Sequence, residues 1–162
     1  MRTLVLLGLL GCGRAHVGAG GLAAQSSLGQ EPGPGTMIEA GGWLRGERFG
    51  VFVVGEAAGI STGNDADPAI WLGLDARGRT VVHRAGRWRV PFVYGGGAGF
   101  EVGYINYALA TAIGEIGVET DLGPLVFGVR ARARAGTFIS DAPALHWYAS
   151  GGLLLDIGYS FR

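Results

Sequence analysis

The sequence predicts an all-β fold, a closed antiparallel up-and-down β-barrel of eight strands. Three observations predict it. Period-two alternation of apolar and polar residues recurs from Thr36 onward, and no stretch there holds a helical period. Turn residues punctuate the alternating runs at "RGER", "STGNDADP", "ARGR" and "DLGP". The composition, with 32 glycines and only 6 prolines in 162 residues and 48% hydrophobic residues, excludes collagen and argues against disorder.

The chain opens on Arg2 and the apolar run "LVLLGLL", the layout of an export signal. Two processing schemes fit it. Small residues in "GLAAQ" suit cleavage near Ala23 or Ala24, giving a signal peptide over 1–24. Alternatively "LLGC" resembles a lipobox, the signal ends before Cys12, and Cys12 carries lipid. The glycine- and alanine-rich stretch that follows has no periodicity and reads as a flexible linker, assigned to 25–35, with the barrel over 36–162.

Within the barrel, "MIEAGGWLR", "FGVFVVGEA", "AIWLGLD" and "RTVVHRAGRWRV" supply the first four strands. "PFVYGGGAGFEVGY" supplies the fifth, with Phe92, Tyr94, Ala98, Phe100, Val102 and Tyr104 on one face and Glu101 among glycines on the other. The sixth, "TAIGEIGVETDL", sets Ala112, Ile116, Val118 and Leu122 against Glu115, Glu119 and Asp121. The seventh, "LVFGVRARARAGT", sets Leu125, Phe127, Val129 and three alanines against Arg130, Arg132 and Arg134. A two-residue turn at Leu122 and Gly123 would face Glu115 with Arg130, and any register of that parity puts acids and arginines on one side. In the last segment Trp147, Ala149, Leu153, Leu155, Ile157, Tyr159 and Phe161 share a face. Tyr148, Ser150, Asp156 and Ser160 share the other, with Leu154 as the exception.

Alternation alone suits two media. A soluble lipocalin-like barrel turns its apolar face inward around an apolar ligand; a transmembrane barrel turns it outward to lipid. The charged face is crowded with glycine, which a packed lumen needs and a water-facing surface does not. Aromatic residues (Trp88, Phe92, Tyr104, Trp147, Tyr159, Phe161) gather near segment ends, as interfacial girdles do. All 13 basic residues are arginine, which suits fixed ion-pair geometry better than lysine. The transmembrane barrel is therefore the expected fold. The alternative is a periplasmic lipoprotein with a soluble barrel, tethered through Cys12.

From about Thr36 to Arg162 the chain resembles the small eight-stranded outer-membrane barrels of Gram-negative bacteria, of the OmpA transmembrane-domain, OmpX and OmpW kind. The carrying segments are "PFVYGGGAGFEVGY", "GEIGVETDLGPLVFGVRARARAG" and "GGLLLDIGYSFR". The last resembles the C-terminal insertion signal of that family, with Gly152, Leu155, Ile157, Tyr159 and Phe161, followed here by Arg162. The resemblance implies residence in the bacterial outer membrane, contact with its lipid, and the barrel-assembly machinery as a partner during biogenesis. It also implies a periplasmic N-terminus. On the strand count above, "STGNDADP" would then lie on the periplasmic side, and "RGER", "ARGR", "INYALA" and "ISDAPAL" outside.

The candidate site is the charged face: Glu101, Glu115, Glu119, Arg130, Arg132, Arg134 and Asp156. An eight-stranded interior has room for little but side chains, so these residues are expected to form a structural ion-pair plug rather than a pore. Other functions find less support. A formal charge of zero leaves no basic excess for nucleic acid. One cysteine precludes an internal disulfide, and three scattered histidines lack metal-ligand spacing, so no metal or cofactor is expected. His146, Ser150 and Asp156 share a face, yet His146 and Ser150 are about 13 Å apart along a strand, so no catalysis is expected. "GGGAG" (Gly95 to Gly99) lacks the Lys and helix of a phosphate loop. Asn64, Asp65 and Asp67 lack the completion of a Ca²⁺ loop.

Overall fold

The computed structural model describes residues 12–27, 32–44, 46–61, 66–102, 108–139 and 146–161. They form eight strands: β1 (Cys12–Ser26), β2 (Gly33–Leu44), β3 (Phe49–Ser61), β4 (Ala66–Ala85), β5 (Trp88–Val102), β6 (Ala108–Leu122), β7 (Leu125–Ile139) and β8 (Trp147–Ser160). Each pairs antiparallel with its sequence neighbours, and β1 pairs with β8 to close the barrel.

A path across the ladders from Val17 through Ala40, Val53, Leu74, Ala98, Ala110, Thr137 and Trp147 returns to β1 at Ser27, ten residues beyond its start. For eight strands that stagger sets a tilt of about 40° and a radius of about 8 Å. Such an interior is filled by side chains, which is why small residues recur on it.

The polarity of the wall is inverted relative to a soluble barrel. Leu153 is 63% exposed, Leu154 is fully buried and Leu155 is 66% exposed, so consecutive leucines alternate between the outside and the lumen. Val51, Val53, Leu72, Leu74, Phe100, Ile116 and Val129 point outward, while arginines and carboxylates point in. A lipocalin-like barrel would run the other way.

Three sequence expectations are corrected. Residues 12–26 are neither signal tail nor linker but β1, and Gly33–Gly35 belong to β2, so the barrel begins well before Thr36. The lumen accounts for the inward-facing half of that Gly/Ala run. A Cβ on Gly18 would stand 3.1 Å from the Leu154 side chain and 3.3 Å from that of Glu39. Second, "ARGR" is not a turn. It lies inside β4, a single strand of 20 residues, where Arg77 and Arg79 face inward on either side of Gly78. "RTVVHRAGRWRV" accordingly spans the β4–β5 hairpin, whose turn is at Gly86 (φ 59°).

Third, the β6–β7 turn is Gly123–Pro124, with Leu122 opposite Leu125, so Glu115 faces Arg132 rather than Arg130. Gly123 takes φ 69°, and Pro124, which has no N–H to give a ladder, costs nothing in the turn. The parity is as expected, and acids and arginines share the inner side.

With β1 restored, the turns at 46–48, 86–87 and 123–124 lie at the end that carries both strand termini, Cys12 and Ser160. The strand ends Ser26 and Gly33, Ser61 and Ala66, Val102 and Ala108, and Ile139 and Trp147 lie at the other. "RGER" and "STGNDADP" thus exchange sides relative to expectation. The segment 1–11, the loop residues Asn64 and Asp65, and Tyr104 and Arg162 lie outside the described residues.

Candidate functional site: the charged lumen

Every second residue of a strand faces the lumen, so the inner charges arrive at spacings of two along β4 and β7 and of four along β6. Seven arginines (14, 77, 79, 89, 130, 132, 134) and seven carboxylates (39, 56, 75, 101, 115, 119, 156) are buried among the described residues. The interior is therefore balanced in formal charge, which is the condition for keeping so many ions out of water.

The centre of the lumen is built around Arg130. Its Nε donates to Asp156 Oδ1 at 3.0 Å, its Nη2 to Glu39 Oε1 at 2.7 Å, and its Nη1 to Glu115. His16 Nε2 lies 2.9 Å from Glu39 Oε1 and its Nδ1 3.5 Å from Asp156 Oδ2. Arg132 bridges Glu115 Oε1 (2.7 Å) and Glu39. Arg77 reaches Glu39 Oε2 at 2.7 Å, Glu115 Oε1 at 3.3 Å and Asp75 Oδ2 at 2.7 Å. Six strands thus meet through ion pairs and charge-assisted hydrogen bonds, the latter roughly twice as strong as neutral ones.

Toward the end of the long connections, Arg134 donates to Glu56 Oε1 (2.9 Å), Asp75 Oδ2 (2.8 Å) and Thr111 Oγ1 (2.9 Å). Tyr148 and Ser150 hydroxyls both donate to Glu56 Oε2, at 2.9 and 2.8 Å. Aromatic rings floor the guanidinium groups: Arg134 stands 4.0 Å over Trp71 and Arg77 4.3 Å over Phe52.

Toward the termini a second cluster forms around Glu119. Its Oε2 receives Arg79 Nη2 at 2.6 Å and Arg14 Nη1 at 3.2 Å, with Arg89 Nη2 at 3.4 Å. Glu47 sits in the β2–β3 turn at φ 53°, a conformation uncommon for a non-glycine residue. That turn delivers its carboxylate to Arg14 (2.5 Å) and Arg79 (2.8 Å). Arg89 also pairs with Asp121.

All seven lumen residues named from the sequence are buried. The structure joins Glu115, Arg130, Arg132 and Asp156 at the centre, and puts Arg134 and Glu119 in the flanking clusters. Glu101 is buried opposite Trp71. Sequence reasoning missed Arg14, His16, Glu39, Glu56, Asp75, Arg77, Arg79 and Arg89. The spacing of Arg14 and His16, and of Asp75, Arg77 and Arg79, would have found those five. Of the C-terminal set, Leu155, Ile157, Tyr159 and Phe161 point outward, Tyr159 and Phe161 edge to face at 5.2 Å, and Gly152 faces the lumen. His146, Ser150 and Asp156 part company. His146 Nδ1 is 3.5 Å from Ser27 Oγ, Ser150 serves Glu56, and Asp156 serves Arg130.

No family model and no curated protein matches the chain. Among solved structures it is similar to Neisserial surface protein A, with a TM-score of 0.54 and 15% identity over 91% of this chain and 96% of that one. The chain has the fold of a small outer-membrane β-barrel. Ail, the attachment invasion locus protein of Yersinia pestis, aligns over 92% of this chain and 99% of its own at 12% identity and a TM-score of 0.47. At these identities the likeness concerns architecture alone.

Proposed function

We propose that this chain is a bacterial outer-membrane β-barrel protein whose lumen is closed by its ion-pair network. Its role is structural, with passage of small solutes at most and no catalysis. The observation that carries the reading is the inverted polarity: large apolar side chains cover the outside while seven arginines are buried within. In water that exterior would be an aggregation surface, and in a bilayer it is matched to its solvent. Strands of 12–20 residues exceed the roughly 9–11 that cross a bilayer. The termini end then faces the periplasm, and the exposed face of β8 from Leu153 to Phe161 is the surface offered to the barrel-assembly machinery.

Two measurements test this. Folded barrel in detergent should migrate differently on a gel before and after boiling, and an unshifted band, or release from membranes without detergent, would refute membrane residence. Planar-bilayer recording should show no stepwise conductance for the wild type. Regular steps would replace the plug by a pore.

A further inference from the structure

The β4–β5 hairpin carries an arrangement that folding alone disfavours. Arg84 and Arg89 are directly opposed across the ladder, and like charges so placed repel. Arg89 is compensated by Asp121 and Glu119. Arg84 has no ion-pair partner among the described residues, and neither does Arg48 in the β2–β3 turn. Both line one cavity of about 990 Å³ at the termini end, together with Arg79, Arg89, Glu47 and Asp121. Among the described residues four arginines thus face two carboxylates, and those carboxylates are already engaged by Arg14, Arg79 and Arg89. The cavity has a surplus of donors and of positive charge, and it is roomy enough for a phosphate group.

Its rim indicates where that phosphate comes from. Tyr94 and Phe161 line the same cavity and are exposed on the outer wall. Phe92 stacks on Tyr94 at 6.0 Å, and Tyr159 meets Phe161. Aromatic girdles of this kind sit at headgroup depth. The cavity therefore joins the inward-facing Arg79 and Arg89 to the aromatic residues of the outer wall at the same end of the barrel.

We propose that this vestibule is a phosphate-binding site that takes the headgroup phosphate of an anionic phospholipid from the leaflet next to the termini end. Arg48 and Arg84 supply the free guanidinium forks, and Arg79 and Arg89 complete the positive field. The proposal rests on the outer-membrane reading above. It adds a specific lipid contact that also orients the barrel.

The test uses folded barrel in detergent micelles, titrated with dioctanoyl phosphatidylglycerol or with inorganic phosphate, with bound mass counted by native mass spectrometry. The wild type should retain one phosphatidylglycerol. Arg48→Ala/Arg84→Ala should weaken retention at least tenfold, and Arg87→Ala, an exposed arginine of the same hairpin outside the cavity, should not. Millimolar phosphate should not displace the lipid. Equal retention by wild type and double variant, or equal loss in Arg87→Ala, overturns the site. Displacement by phosphate overturns the lipid source. A heat-modifiability gel of each sample separates these outcomes from failure of the barrel itself. Both variants should shift as the wild type does, because neither Arg48 nor Arg84 takes part in the ion-pair network.

Discussion

Neighbouring residues of one strand live in two different solvents in this protein. On β7, Val129 faces out and Arg130 faces in, one residue apart. In the membrane reading proposed above, the outer face needs only to be apolar and of suitable size, since lipid adapts to its shape. The inner face must satisfy direction, distance and charge at once, because its ions are buried against one another. Tolerance to substitution should therefore alternate with the strand period, and the alternation can be broken from either side.

The largest effect is expected at Arg130→Ala, which removes the only arginine paired with Asp156 among the described residues and one partner each from Glu39 and Glu115. It should cost about 3–5 kcal/mol, read by urea unfolding in lipid vesicles. Adding Asp156→Asn should recover part of that loss, because it removes the carboxylate with the fewest other partners; no recovery would mean the two do not act as a pair. Next comes Leu155→Arg, on the outer face. It should cost about 2–4 kcal/mol near the bilayer midplane. A cost near zero would place Leu155 in water and reverse the polarity assigned to the wall.

How much of this was legible beforehand follows from contrast. β6, β7 and β8 could be read within a few residues because their two faces differ sharply: Arg130, Arg132 and Arg134 against alanines, or Asp156 against Leu155 and Ile157. β1 could not, because Gly18, Ala19, Gly20, Gly21, Ala23 and Ala24 differ too little in polarity for a period to appear, and the run has the composition of a linker. β4 was split because Gly78 between two arginines has the composition of a turn, whereas in the strand it faces outward beneath the Tyr94 ring while Arg77 and Arg79 face in. The arginine face was legible, but its partners Glu39 and Glu56 stand alone on their strands. Trp43, Phe52 and Trp71, which line the lumen, carry no sequence sign that distinguishes them from girdle aromatics.

Smaller effects sharpen the contrast. A Cβ on Gly128 would lie 2.6 Å from Asp156 Oδ1. Gly128→Ala should therefore push that carboxylate from Arg130, at about 1–3 kcal/mol. Val53→Leu, on the outer wall, should stay within about 0.5 kcal/mol. If the two prove equal in the same unfolding assay, the lumen is looser than its packing implies.

The central claim, that lipid covers one face and ion pairs fill the other, is tested most directly by a spin-label scan along β8. Single cysteines would be placed from Leu153 to Tyr159 in a Cys12→Ser background, with the barrel in vesicles. Collision with dissolved oxygen should peak at 153, 155, 157 and 159 and collapse at 154, 156 and 158, while a water-soluble nickel chelate reaches none of the interior positions. High oxygen at 154 and 156, or nickel access at 153 and 155, would contradict the account.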